Sequence, residues 1–226
     1  MRRAAAATLW ALAGLSAGPL AHAGGQEQDS PPDARTGLQA AVRVGYSRPM
    51  GQFQGLAVLE LANLFDWQLP ILADVGVKLG EYVFLGGFLG YAAGGAGATF
   101  DGICEASDCS VSSLRFGLQI HAALRPSARL NPWIGYGIGY DFSALHVDDP
   151  RGAVSLGVRG VEFAHLLLGA DYRLAKTFGF GPYLDYAFGV YTDRTVETPA
   201  YSRDDTLHDA DVHSWFTAGV RMVLFP

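Results

Sequence analysis

At 226 residues, 50% hydrophobic and only 17% charged, the chain is long enough to bury a sizeable core and too poor in charge to stay unfolded. Asp and Glu outnumber Lys and Arg by 22 to 16, a net charge of −6 with no basic cluster, which excludes a nucleic-acid partner. Past the N-terminus no run reaches the roughly 18 uninterrupted apolar residues of a helical span, so a helical membrane protein is excluded too.

The chain opens on Arg2 and Arg3, a short apolar run over residues 4–15, and the small-x-small triplet Ala21-His22-Ala23. This layout predicts a cleaved secretory signal peptide over residues 1–23. The apolar run is shorter than the ~20 residues a span requires, and Gly18-Pro19 break it. Residues 24–36 are polar, contain Pro31-Pro32, and read as a lead-in to a single domain over residues 37–226.

Side chains of a strand alternate between two faces. In residues 38–47, Leu38, Ala40, Val42, Val44 and Tyr46 share one face and Gln39, Arg43 and Ser47 the other. Residues 56–65 have good helix formers and no strict alternation. Their apolar set, Leu56, Leu59, Leu61, Leu64 and Phe65, fits a surface helix, a gate folded over a barrel mouth, or further strand. Residues 69–79 alternate again, with Asp74 and Lys78 opposite Ile71, Val75 and Val77. After a turn at Gly80-Glu81, residues 82–92 set Val83, Leu85, Leu89 and Tyr91 against Gly86 and Gly90, with Phe84 and Phe88 competing for the register.

A glycine-rich loop, residues 94–110, carries Cys104 and Cys109. The spacing is not that of a redox or zinc site and no histidine stands nearby, so an exported chain is expected to close a local disulfide there. Residues 111–124 set Leu114, Phe116, Leu118 and Ile120 against Ser113, Arg115, Gln119 and His121. Residues 132–142 show the sharpest pattern: Trp133, Gly135, Gly137, Gly139 and Asp141 against Ile134, Tyr136, Ile138, Tyr140 and Phe142. A soluble sandwich turns its bulk inward. Here one face is bulky and apolar and the other almost bare, which predicts a strand with hydrocarbon outside and a crowded interior.

A loop over residues 146–158 follows, then strands over 161–174, 178–191 and 212–224, with an acidic loop over 192–211. The connections alternate long and short. That alternation predicts an all-β fold, an eight-stranded antiparallel up-and-down transmembrane β-barrel with both termini at the short-turn end.

The inward polar set is Arg43, Lys78, Arg115, Arg173 and Arg221 against Asp74, Asp141, Asp171 and Asp185. Eight strands enclose a space just wide enough for side chains to fill, and buried charges must pair. A polar, plugged interior is expected, with inward glycines making room for arginines. No catalytic, metal or cofactor site is expected. Adjacent His213 and Ser214 point to opposite faces, against a nucleophile–base pair. The acids Asp193, Glu197, Asp204, Asp205, Asp209 and Asp211 read as a solvated loop.

The segments Val42-Arg43-Val44-Gly45-Tyr46, Phe84-Leu85-Gly86-Gly87-Phe88, Leu114-Arg115-Phe116-Gly117, residues 132–140 and Phe180-Gly181-Pro182-Tyr183 resemble those of small Gram-negative outer-membrane β-barrel proteins, the group of the OmpA transmembrane domain and OmpW. The resemblance spans about residues 36–226 and departs from the group at the end, where Phe225 is followed by Pro226 and alternation puts Leu224 on the lipid face. It implies an integral outer-membrane protein with a periplasmic lead-in and a structural or surface-interaction role. An OmpW-like channel for small hydrophobic molecules is the alternative, a lipid-modifying barrel enzyme a third reading, and a soluble lipocalin-like barrel the rival fold. The implied partners are outer-membrane lipid, lipopolysaccharide and the barrel-assembly machinery, and for the channel, small hydrophobic molecules.

Overall fold

A computed structural model describes residues 36–51, 61–149, 152–207 and 211–226. The expected signal peptide, nearly all of the lead-in, Leu56, Leu59 and Asp209 lie outside the described residues. The elements, in order, are β1 (Gly37–Gly51), α1 (Leu61–Leu64), β2 (Phe65–Leu79), β3 (Val83–Ala96), α2 (Asp101–Cys104), β4 (Asp108–Ala123), β5 (Leu130–Asp149), β6 (Gly152–Arg173), β7 (Phe178–Glu197), β8 (Ser202–Thr206) and β9 (Val212–Leu224).

Each strand pairs antiparallel with its neighbour from β1 through β7, and β9 closes the ring between β7 and β1. Eight strands form the ring. Among the described residues the ninth, β8, pairs only with β7 and stands outside the ring. A closed ring leaves no free edge, so the backbone groups of its strands satisfy one another, as hydrocarbon surroundings demand.

The alternation read from the sequence becomes two surfaces. Along β4, Leu118 is 64% and Ile120 46% exposed, while Gln119 and His121 are 3% and 4% exposed. Bulk faces outward and polarity inward, the inverse of a soluble protein. On β3 the competition is settled: Phe84 and Phe88 face inward and Leu85, Leu89 and Tyr91 outward.

This explains the inward glycines, and corrects one expectation. They clear space for rings more than for arginines. A Cβ on Gly135 would stand 2.6 Å from the His121 ring, and one on Gly139 would stand 2.9 Å from Phe88. Inward rings are wide and rigid, so the strand opposite them must be bare. Gly80 has a different duty: it turns β2 into β3 at φ +61°, a conformation glycine adopts freely.

The end opposite the termini departs from expectation in three places. The loop expected over residues 146–158 is strand, and β5 connects to β6 across residues 150–151 alone. The expected acidic loop begins as strand: β7 runs on to Glu197 and turns back as β8. The cause is visible in β5, where Leu145 and Val147 are buried and His146 and Asp148 exposed. Period two continues, but past the hydrocarbon belt its polarity reverses to apolar inside and polar outside. Lastly, residues 61–64 form a helical turn and β2 begins at Phe65 instead of residue 69. Cys104 and Cys109 form the expected disulfide, with an S–S distance of 2.00 Å, joining α2 to the start of β4.

Candidate functional site

The lumen holds the chemistry. Nearest the termini, Arg221 Nη1 donates to Asp171 Oδ2 at 2.6 Å and its guanidinium lies 4.7 Å over the Trp133 ring. Arg221 Nε stands 4.0 Å from Asp74 Oδ2. Asp74 is the partner of Arg43, which donates through Nε and Nη2 at 3.0 and 2.8 Å in a two-point fork. Arg43 Nη1 reaches on to Asp185 Oδ2 at 3.5 Å.

Here the chain of charges passes through a histidine. His165 Nδ1 lies 3.2 Å from Asp185 Oδ1 and Nε2 lies 2.9 Å from Glu162 Oε2. Only the imidazolium donates from both nitrogens, so two carboxylate contacts suit the charged ring. Beyond it, Arg115 Nε is 3.6 Å from both Glu162 Oε1 and Asp141 Oδ1. Asp141 accepts from the Tyr191 hydroxyl at 3.0 Å and from Ser143 at 3.1 Å, and Ser143, Ser113 and Gln68 continue as neutral hydrogen bonds.

Seven of the nine residues expected in the lumen are in this network: Arg43, Asp74, Arg115, Asp141, Asp171, Asp185 and Arg221. The other two are not. Lys78 and Arg173 lie at the end carrying the termini, 5.5 and 4.6 Å from the ring of Phe225. Both are near strand ends, where long side chains reach water instead of the ion pairs.

Glu162, 1% exposed, joins the lumen against the alternation of its strand. Strict parity along β6 puts it on the same face as Ala164, Leu166 and Leu168. A bulge changes that face: Gly137 opposes His165 but Gly139 opposes Glu162, so three steps on β6 match two on β5. The signal available was the acid itself, flanked by Val161 and Phe163, which are 41% and 44% exposed. A carboxylate between two lipid-facing residues needs an inward direction.

The far end of the lumen is apolar. Leu61, Leu64 and Phe65, at 0%, 4% and 0% exposure, pack with Val111, Leu145 and Trp215 inside the mouth. Of the three sequence options for this segment, the described part lies folded into the mouth. Trp215 joins this cluster to the charges, since Arg115 sits 4.7 Å over its ring. His213 is buried and stacked on Tyr191 at 3.9 Å, whereas Ser214 faces the other way and donates to the Tyr186 hydroxyl at 3.2 Å. The two do not meet.

No family model and no curated protein matches the chain. Among solved structures it is similar to Neisserial surface protein A, at 10% identity over 83% of this chain and 97% of that one, TM-score 0.49. It is similar to the outer-membrane protein OprG of Pseudomonas aeruginosa, at 12% identity over 85% and 99%, TM-score 0.48. A major outer-membrane protein of Thermus thermophilus gives 15% identity over 83% and 99%, TM-score 0.47. With a closed ring of eight antiparallel strands, a bulky apolar outer wall and a lumen of paired charges, the chain is a small β-barrel of the outer-membrane type.

Proposed function

We propose that the protein is an integral outer-membrane barrel closed to solutes, which serves by its stability and by the surface it presents outside the membrane. One observation carries this reading: the line of ion pairs from Asp171 to Asp141 runs under an apolar cap of Leu61, Leu64 and Phe65, so charged and apolar side chains occupy the lumen in turn. An ion crossing it would have to displace paired, buried charges. The opposite directions of His213 and Ser214 favour a non-enzymatic role. Outer-membrane lipid, lipopolysaccharide and the barrel-assembly machinery are the partners this reading entails.

Planar-bilayer recording of the purified full chain tests it. A silent bilayer is expected, with the same preparation migrating differently on gels before and after heating. Discrete conductance steps would instead support a channel gated by the helical turn, the reading that an apolar segment seated in the mouth favours next. Extraction into aqueous buffer without detergent would defeat both.

A further inference from the structure

A large recess lies outside the lumen. This groove, of about 340 Å³, crosses the outer wall where the apolar belt ends. Its floor is one row of small residues on four neighbouring strands: Ser112, Ala144, Gly157 and Thr195. The next row toward the belt runs from Tyr91 through Leu114 and Phe142 to Arg159 and Asp193, each paired with the one before. Along that row the wall changes from aromatic and aliphatic to charged. The row on the opposite side is polar, with Ser110, His146, Ser155 and Glu197 in register.

A groove with apolar residues on one side, hydroxyls on its floor and a cation at one end fits an amphipathic molecule with its polar part at Arg159. Continuity with the belt of exposed Tyr91, Leu114 and Phe142 makes that molecule a lipid. Arg159 uses Nε on Asp193 at 3.4 Å, and Asp193 is further satisfied by the Thr192 hydroxyl at 2.7 Å. Among the described residues no other ion pair engages Arg159, so its terminal nitrogens can take a phosphate. Ser112 on the floor supplies a donor and an acceptor, the Thr195 hydroxyl, which donates to Asp204 Oδ1, can still accept, and Ser155 and Glu197 add polar groups in the row beyond; these suit sugar hydroxyls, which a glycerophospholipid headgroup largely lacks.

We infer that this groove is a binding site for a phosphorylated glycolipid, its phosphate at Arg159, its sugar over Ser112, Gly157 and Thr195, and its acyl chains on Phe142, Leu114 and Tyr91. The inference rests on the outer-membrane reading and names one partner of that surface. Gly157 is the point of leverage. A Cβ there meets nothing nearer than Thr195 at 3.8 Å, so a larger side chain fills the groove without displacing the wall.

The test is native mass spectrometry of the full chain in detergent micelles with lipid A or phosphatidylglycerol. Lipid A is expected to bind more tightly. Gly157→Phe, which fills the groove, and Arg159→Gln, which removes its cation, are each expected to weaken it about tenfold, the order of one lost charged contact. Arg48→Gln, which removes another outer-wall arginine paired with Asp66, is expected to leave it unchanged. Unchanged lipid A affinity in both groove variants overturns the site. So does an equal loss in Arg48→Gln, or tighter binding of phosphatidylglycerol. Gel migration before and after heating separates the two levels: a wild-type chain without the shift fails the barrel reading, whereas a shifted chain without selective binding fails only the groove. Should Gly157→Phe lose the shift, Arg159→Gln decides alone.

Discussion

Arg43 and Asp74 are 1% and 0% exposed and joined at two points, so neither charge has water to fall back on. Removing one side of such a pair leaves a buried charge and costs about 3–5 kcal/mol, whereas replacing both by apolar groups costs far less. Arg43→Met and Asp74→Leu are each expected to lower the stability of the detergent-solubilised barrel in urea titrations by that much, and the double variant by clearly less than the sum. Strictly additive losses would show that the pair is not coupled. Identity of the charged residues was legible in the sequence, because an Arg or Asp between lipid-facing neighbours has one tolerable direction. Their partners were not. Arg43 and Asp185, far apart in the chain, meet only because closure of the ring places β1 and β7 on either side of β9.

At the scale of elements, two kinds of strand share each long hairpin. Within the belt β5 is bulky outward; beyond it, Leu145 and Val147 turn inward beneath the helical turn. The apolar cap behaves as an ordinary core. Leu64→Ala is expected to lose about 2–5 kcal/mol there. Hydrogen exchange of the Val111, Leu145 and Val158 amides would rise in that variant, and unchanged protection would show that the turn rests on the mouth without supporting it. The β7–β8 hairpin stands in water and is held differently. The Arg194 and Arg203 hydrogen bonds keep the Asp205 carboxyl below the usual carboxylate range. A depressed carboxyl contributes fully above its ordinary value and loses that contribution as the pH falls through the folded one. Exchange of the β8 amides is therefore expected to quicken, relative to the ring strands, as acid protonates Asp205. A ratio independent of pH would rule the pairing out as a support. The β6 bulge belongs to this scale too. It admits Glu162 to the lumen, and a single extra residue in a ladder leaves no mark on composition or alternation until the partner strand is known.

For the whole molecule, closure is the organising constraint. Hydrocarbon outside forbids an unpaired edge, and the narrow ring forbids an empty or unpaired interior. Inward rings force inward glycines, paired charges stand among the rings, and an apolar cluster packs inside the far mouth. The same closure makes the outer wall continuous, so that small residues in one row become a groove against larger ones in the next. Neither the groove nor the cap belongs to any one strand.

The sequence by itself determined the fold class, the number of ring strands, the lipid-facing set and most of the lumen charges. All of these follow from period two, which is local and depends on neither register nor partner. Tertiary structure alone decided that Lys78 and Arg173 stand on Phe225 at the end carrying the termini, that Glu162 and His165 link the arginines, that glycines serve rings, and that residues expected in loops extend the wall. Each of those depends on which residue lies across the lumen or along the next strand, and that is set by register and closure, quantities no short stretch of chain contains.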